Sequence, residues 1–126
     1  MSNACAGWAA ALLLGLAAVA PVSAADMDQA TAVAKGKEHF KMFCTNCHGS
    51  NAEGDGPLVP MLKIQPSDLT LLQRQDGGRF DAERILKAID GRHQVSSGER
   101  QMPVFSENLA ISTIIEIIEY LKTIQK

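Results

Sequence analysis

Apolar residues recur with helical spacing in two long segments of the chain. In residues 109–124 they recur every three or four positions, and Glu116 and Lys122 fall on the opposite side. Six isoleucines in this segment also suit a strand, but its length and the positions of its charges favour a helix. Residues 27–43 show the same period, with Gly36 in the middle of the predicted helix.

Two shorter helices are predicted between these segments. Asp81 is a suitable N-cap for a helix that Gly91 would end. Ser67 or Asp68 is placed to cap a short helix over 69–72. The stretches between the helices are rich in glycine, proline and polar residues, which indicates loops. The pattern as a whole predicts an all-α protein.

The first 24 residues differ from the rest because they carry no charged side chain. Their run of Ala, Leu, Gly and Val ends at Pro21, and the small residues that follow suit signal peptidase. We therefore expect a signal peptide over 1–24, cut after Ala24 or Ala25, and a mature domain over 25–126 in the periplasm. The alternative is a retained membrane anchor, since the segment lacks an N-terminal Lys or Arg.

Composition limits the partners of this domain. The chain of 126 residues has 12 basic and 14 acidic side chains, a net charge of −2. This balance argues against binding to nucleic acid or to an anionic membrane surface. Since no nucleophile–base pair and no phosphate-binding loop is visible, a small-molecule substrate is not expected.

One short motif carries most of the chemistry. Residues 44–48 read Cys-Thr-Asn-Cys-His. Two thiols one helical turn apart can each form a thioether to a vinyl group of a porphyrin. The histidine that follows can then bind the iron. The motif therefore predicts one covalently attached haem c, held by Cys44 and Cys47, with His48 as its proximal ligand.

Zinc and a redox dithiol are the alternatives for the same residues. Zinc usually requires a second pair of ligands. Here Cys5 falls in the predicted signal peptide, and His39 and His93 are isolated. A redox dithiol usually lies in a pattern of alternating strands and helices, which this chain lacks.

The sixth iron ligand determines what the haem can do. Met102 lies 54 residues after His48, far enough for the chain to return to the opposite face. Met61 lies only 13 residues away and is better interpreted as pocket wall. A methionine thioether would raise the reduction potential, whereas His93 would lower it. An open sixth position, which would bind gas or peroxide, is the third alternative.

Short motifs after the haem site extend this interpretation across the chain. They occur in this order: Gly54-Asp55-Gly56-Pro57, Pro66-Ser67-Asp68-Leu69-Thr70, Ile89-Asp90-Gly91-Arg92, Met102-Pro103 and Glu119-Tyr120-Leu121-Lys122. With the N-terminal helix and Cys47-His48-Gly49, they make the chain resemble a class I (small, monohaem) bacterial cytochrome c. The resemblance covers about residues 27–125.

The resemblance implies the cytochrome c fold, with three to five helices wrapped around one covalently attached haem. Its first and last helices would cross so that Gly36 and Phe40 face the 120–121 region. It also selects Met102 as the distal ligand, so that His48 and Met102 together bind the iron.

Further contacts to the haem are implied in the same way. The carbonyl of Pro57 would accept a hydrogen bond from the second ring nitrogen of His48, which fixes the ring. Arg79 and Arg92 are candidates for contacts to the haem propionates, or else are solvated charges.

The function implied is electron transfer without catalysis. The chain would be a periplasmic, monomeric carrier of one electron through Fe(III)/Fe(II) cycling, and its partners would be redox proteins of the periplasm. Two alternatives share the fold: a haem c electron-acceptor subunit of a periplasmic dehydrogenase or oxidase complex, and a haem sensor with an open sixth site.

Overall fold

The computed structural model describes residues 24–91, 102, 103, 105 and 107–126. Within these ranges the chain forms five α-helices and no strand. The prediction of an all-α fold with three to five helices is confirmed. Residues 1–23 of the predicted signal peptide, Arg92 and His93 lie outside the described residues.

The five helices are α1 Ala24–Phe43, α2 Thr45–His48, α3 Leu72–Gln75, α4 Ala82–Asp90 and α5 Ile111–Thr123. Two 3₁₀ turns, Val59–Met61 and Leu69–Leu71, lie between α2 and α3. Helices α1 and α5 pack together and, with α4, supply most of the buried apolar side chains.

Helix α5 presents one apolar face to the core. Four of its side chains are buried: Ile114, Ile117, Ile118 and Leu121. Burial of each such side chain stabilises the fold by about 1.5–3 kcal/mol. The helix begins two residues later than predicted, because the Leu109 N–H donates to the Phe105 carbonyl (2.8 Å) in a preceding turn and Ala110 is extended.

Helices α1 and α5 cross at Gly36, as the resemblance implied. A Cβ atom at this position would overlap the Glu116 carbonyl and lie 3.0 Å from Cβ of Tyr120. One turn further on, the rings of Phe40 and Tyr120 meet with centroids 5.4 Å apart. The absence of a side chain at Gly36 therefore lets the two backbones come close enough to bury Phe40.

Helix α4 has the ends that the sequence predicted. A carboxylate oxygen of Asp81 accepts the Arg84 N–H at 3.0 Å, which caps the first turn. Gly91 ends the helix with φ of 95°, a left-handed conformation that glycine adopts without strain. Between these ends, Ile85 and Ile89 are buried against the core.

The segment before α4 is tied to the C-terminus. Asp68, rather than Ser67, caps the turn at Leu69–Leu71 by accepting the Thr70 N–H at 2.8 Å. The N–H of Lys126 donates to the Thr70 carbonyl at 2.9 Å. These contacts hold the 68–75 segment beside the end of α5. No helix in the described part of the chain is long and apolar enough to cross a membrane.

Candidate functional site

The haem motif forms a single helical turn directly after α1. The Cys44 N–H donates to the Phe40 carbonyl at 2.9 Å, which continues the ladder of α1. The N–H groups of Cys47 and His48 in turn donate to the Cys44 carbonyl at 3.2 and 2.9 Å. The two cysteines thus lie one turn apart, and both are half-buried free thiols.

The environment of Cys44 favours the neutral form of its thiol. Burial, with a smaller contribution from repulsion by Cys47, raises the pKa of the Cys44 thiol to about 12. Zinc binding and dithiol redox chemistry both use thiolates, which such an environment disfavours. Among the described residues, no group of three His, Cys, Asp or Glu side chains is placed to hold a metal ion. The two thiols therefore have, among the residues that the structure describes, no further ligands with which to complete a zinc site.

His48 is oriented by a backbone carbonyl from a distant segment. Its Nδ1 lies 3.0 Å from the carbonyl oxygen of Ser67. Because a carbonyl only accepts, Nδ1 carries the proton in this hydrogen bond, and the lone pair of Nε2 is left available for a metal. Burial lowers the pKa of His48, although the bond to Ser67 opposes that shift. A neutral imidazole with a free Nε2 is the form that binds haem iron.

The contact expected of Pro57 differs in the structure. Ser67, and not Pro57, supplies the carbonyl that meets His48 Nδ1. The turn around Pro57 is held instead against the backbone of the motif, since the Gly56 and Leu58 N–H groups donate to the carbonyls of Cys47 and Asn46. This turn fixes the course of the motif without contacting the ring through that nitrogen.

Gly56 shows how closely this turn approaches the motif. A Cβ atom there would lie 2.6 Å from the carbonyl carbon atoms of Asn46 and Cys47. Any side chain at this position would therefore separate the loop from the helical turn that carries the two cysteines.

An apolar cavity of about 160 Å³ lies beside the motif. Helices α1, α2, α4 and α5, with the 67–72 segment and Met102, all contribute to its wall. The lining side chains are Phe40, Cys44, His48, Ser67, Leu69, Leu72, Arg84, Ile85, Ala88, Ile89, Met102, Ile117 and Leu121. The cavity therefore brings together residues that lie far apart in the sequence.

Three of the residues predicted to hold the haem meet at this cavity: Cys44, His48 and Met102. Cys47 lies in the same helical turn. Met61 is 73% exposed and does not line the cavity, so its interpretation as pocket wall is wrong. His93, the competitor for the sixth position, lies outside the described residues.

Arginines near the site are arranged differently from the expectation. Arg79 is exposed and does not line the cavity, whereas Arg84 does. Arg84 was not predicted from the sequence, although its position on α4 was informative. It lies one, four and five residues before the cavity-lining residues Ile85, Ala88 and Ile89.

The donor set fits a haem iron. A neutral imidazole and a methionine thioether are both established axial ligands, and they line the same cavity as a thiol that can bond to the porphyrin. The remaining lining is mostly aliphatic and aromatic, which suits the apolar faces of a porphyrin.

Comparison with known families gives one result. A family model described as Cytochrome c matches residues 33–125, which include the motif, the cavity-lining residues and helix α5. No curated protein matches the chain.

Proposed function

The chain belongs to the cytochrome c family, and from this premise we propose that it is an exported, monomeric carrier of single electrons. As a member it carries covalently bound haem c with its iron and takes part in electron transfer. When bound, this group supplies a one-electron Fe(III)/Fe(II) couple. Beyond this, we propose the roles of individual residues, the compartment in which the protein functions and the absence of catalysis.

Four residues hold the group in this proposal. Cys44 and Cys47 would form the thioethers, and Nε2 of His48 and the sulfur of Met102 would bind the iron. The supporting observation is that Cys44, His48 and Met102 line one cavity although Met102 is distant in sequence.

The cavity wall sets the electron affinity of the site. Phe40, Ile117 and Leu121 line the cavity and are at most 2% exposed. An apolar environment disfavours the ferric state, which carries the additional positive charge. Since a thioether ligand acts in the same direction, the protein favours a relatively high potential.

The same ligand set would leave no open coordination position. With His48 and Met102 both bound, a substrate or gas would reach the iron only by displacing a protein ligand. The chain therefore passes electrons between redox proteins and performs no catalysis of its own.

Export completes the proposal. Residues 1–24 act as the signal peptide, cut after Ala24 or Ala25, and residues 25–126 function in the periplasm. Supporting this are the uncharged, apolar start of the chain and two adjacent thiols that would oxidise there without another use. The mass of the haem-loaded protein from a periplasmic extract tests it, because a full-length mass in the membrane fraction would show retention.

Absorption spectra test the ligand assignment. The oxidised protein is expected to show the methionine-to-iron charge-transfer band, and Met102→Ala is expected to abolish it. Met61→Ala is the matched control, since Met61 is exposed and does not line the cavity. A band unaffected by Met102→Ala would overturn the assignment.

Two further outcomes distinguish the alternative functions. Rapid carbon monoxide binding by the reduced wild-type protein would indicate an open sixth site and a sensor. Stoichiometric co-purification of a larger catalytic chain would identify an enzyme subunit instead of a free carrier.

A further inference from the structure

Arg84 is a charged residue in the wall of an otherwise mostly apolar cavity. It lies in the first turn of α4, where its N–H is fixed by the Asp81 carboxylate. Its neighbours on the same helix face, Ile85 and Ala88, line the cavity as well. The apolar face of α4 thus carries one cation toward the site.

The guanidinium of Arg84 is held at one end only. Its Nη2 lies 2.5 Å from a carboxylate oxygen of Asp76. Its Nε is buried and has no hydrogen-bond partner among the described residues. A buried donor on a charged group is unfavourable without an acceptor, so the structure calls for one on this side.

We propose that Nε of Arg84 donates a hydrogen bond to a carboxylate of the haem propionates. The propionates are the anionic groups of the cofactor, and Arg84 is the one arginine or lysine among the described lining residues. Asp76 acts as the positioning residue, because it holds the guanidinium plane in place. The inference rests on haem attachment at this cavity, and not on the identity of the sixth ligand.

Arg84 differs from Arg74 and Arg79 in its position relative to the cavity. Arg74 and Arg79 are both exposed, and neither lines the cavity. An exposed charge is screened by salt over about 8 Å at physiological ionic strength, whereas a partly buried charge is screened much less. Loss of Arg84 should therefore affect the haem more than loss of Arg74.

The test compares Arg84→Gln with the control Arg74→Gln, each purified with covalent haem. Resonance Raman spectra report the propionate bending bands, which respond to hydrogen bonding of the carboxylate. We expect these bands to shift in Arg84→Gln and to stay unchanged in Arg74→Gln. We also expect a lower reduction potential in Arg84→Gln, because removal of a nearby cation stabilises the ferric state.

A conservative variant separates this role from a purely structural one. Arg84→Lys keeps the charge but lacks the Nε donor, so its potential should stay near that of the wild type while the Raman bands shift. Unshifted bands in both Arg84 variants would overturn the inference. So would equal changes of potential in Arg84→Gln and Arg74→Gln. If Arg84→Gln does not incorporate haem, the Raman bands of Arg84→Lys decide. If the inference about Arg84 fails but the variants keep the methionine-to-iron charge-transfer band, the proposed iron ligands are unaffected by that failure.

Discussion

Gly36→Ala tests the helix crossing that supports the haem cavity. The new Cβ would overlap the backbone carbonyl of Glu116, which cannot rotate away as a flexible side chain would. Helices α1 and α5 must therefore separate, one turn away from Phe40, which is 1% exposed. Overpacking of this kind destabilises by about 1–3 kcal/mol. Alanine regains about 1 kcal/mol through its higher helix propensity.

The backbone clash places the packing penalty at the upper end of that range. The net loss of unfolding free energy should then be about 2 kcal/mol, which lowers the melting temperature of a domain this size by roughly 8–16 °C. Circular dichroism at increasing temperature or denaturant concentration measures it on the haem-loaded protein. Ala34→Gly, at an exposed position of α1, is the control for propensity and should cost about 1 kcal/mol. A Gly36→Ala variant more stable than the wild type would refute the close crossing.

Three further predictions concern the caps and the thiols. Asp81→Ala should destabilise the protein by about 1 kcal/mol in denaturant unfolding, while Asp81→Asn, which can still cap α4, should stay close to the wild type. The side chain and then the backbone N–H of Thr70 donate to Asp68 and hold the pKa of its carboxyl below its usual value, despite an opposing effect of burial. The ionised Asp68 carboxylate therefore stabilises the fold above about pH 4, and this stabilisation is lost as the pH falls through the lowered pKa. Asp68→Asn should reduce the urea midpoint at neutral pH more than at about pH 2. An equal reduction at both pH values would contradict this prediction. Cys44→Ala and Cys47→Ala should each keep one thioether and thus haem that resists acid–acetone extraction, and the double variant should lose all of it. Extraction of haem from a single variant would show that the cysteine remaining in that variant does not bond to the porphyrin.

The features that the sequence predicted well are local ones. The ends of α4 follow from Asp81 and Gly91, whose effects depend on the backbone within a few residues. The single turn that separates Cys44 from Cys47 is likewise set by the spacing of the motif. The close approach at Gly36 came from the family resemblance, since periodicity alone does not identify which helix a glycine faces.

The features that the sequence predicted poorly depend on the course of loops. Ser67 lies 19 residues after His48, and no periodic pattern indicates that its carbonyl meets the ring. The expectation for Pro57 failed for the same reason, because its turn is held by the backbone of the motif. Met61 follows a proline in a 3₁₀ turn whose direction leaves the side chain in solvent.

Arg84 is an intermediate case. Arg84 lies four residues before Ala88, so the helical period places these two side chains on the same side of α4. What the period does not show is that this face lines the same cavity as His48, which only the packing of α4 beside the motif provides.

Proton NMR of the reduced protein gives the most direct test of the central claim, that Met102 is the distal ligand. The ring current of a porphyrin moves the signal of a methyl group bound above it far upfield of ordinary methyl groups. The account predicts one methionine methyl with such a shift, absent in Met102→Ala and retained in Met61→Ala. A shifted methionine signal that survives in Met102→Ala, or a wild-type spectrum without one, would contradict the account.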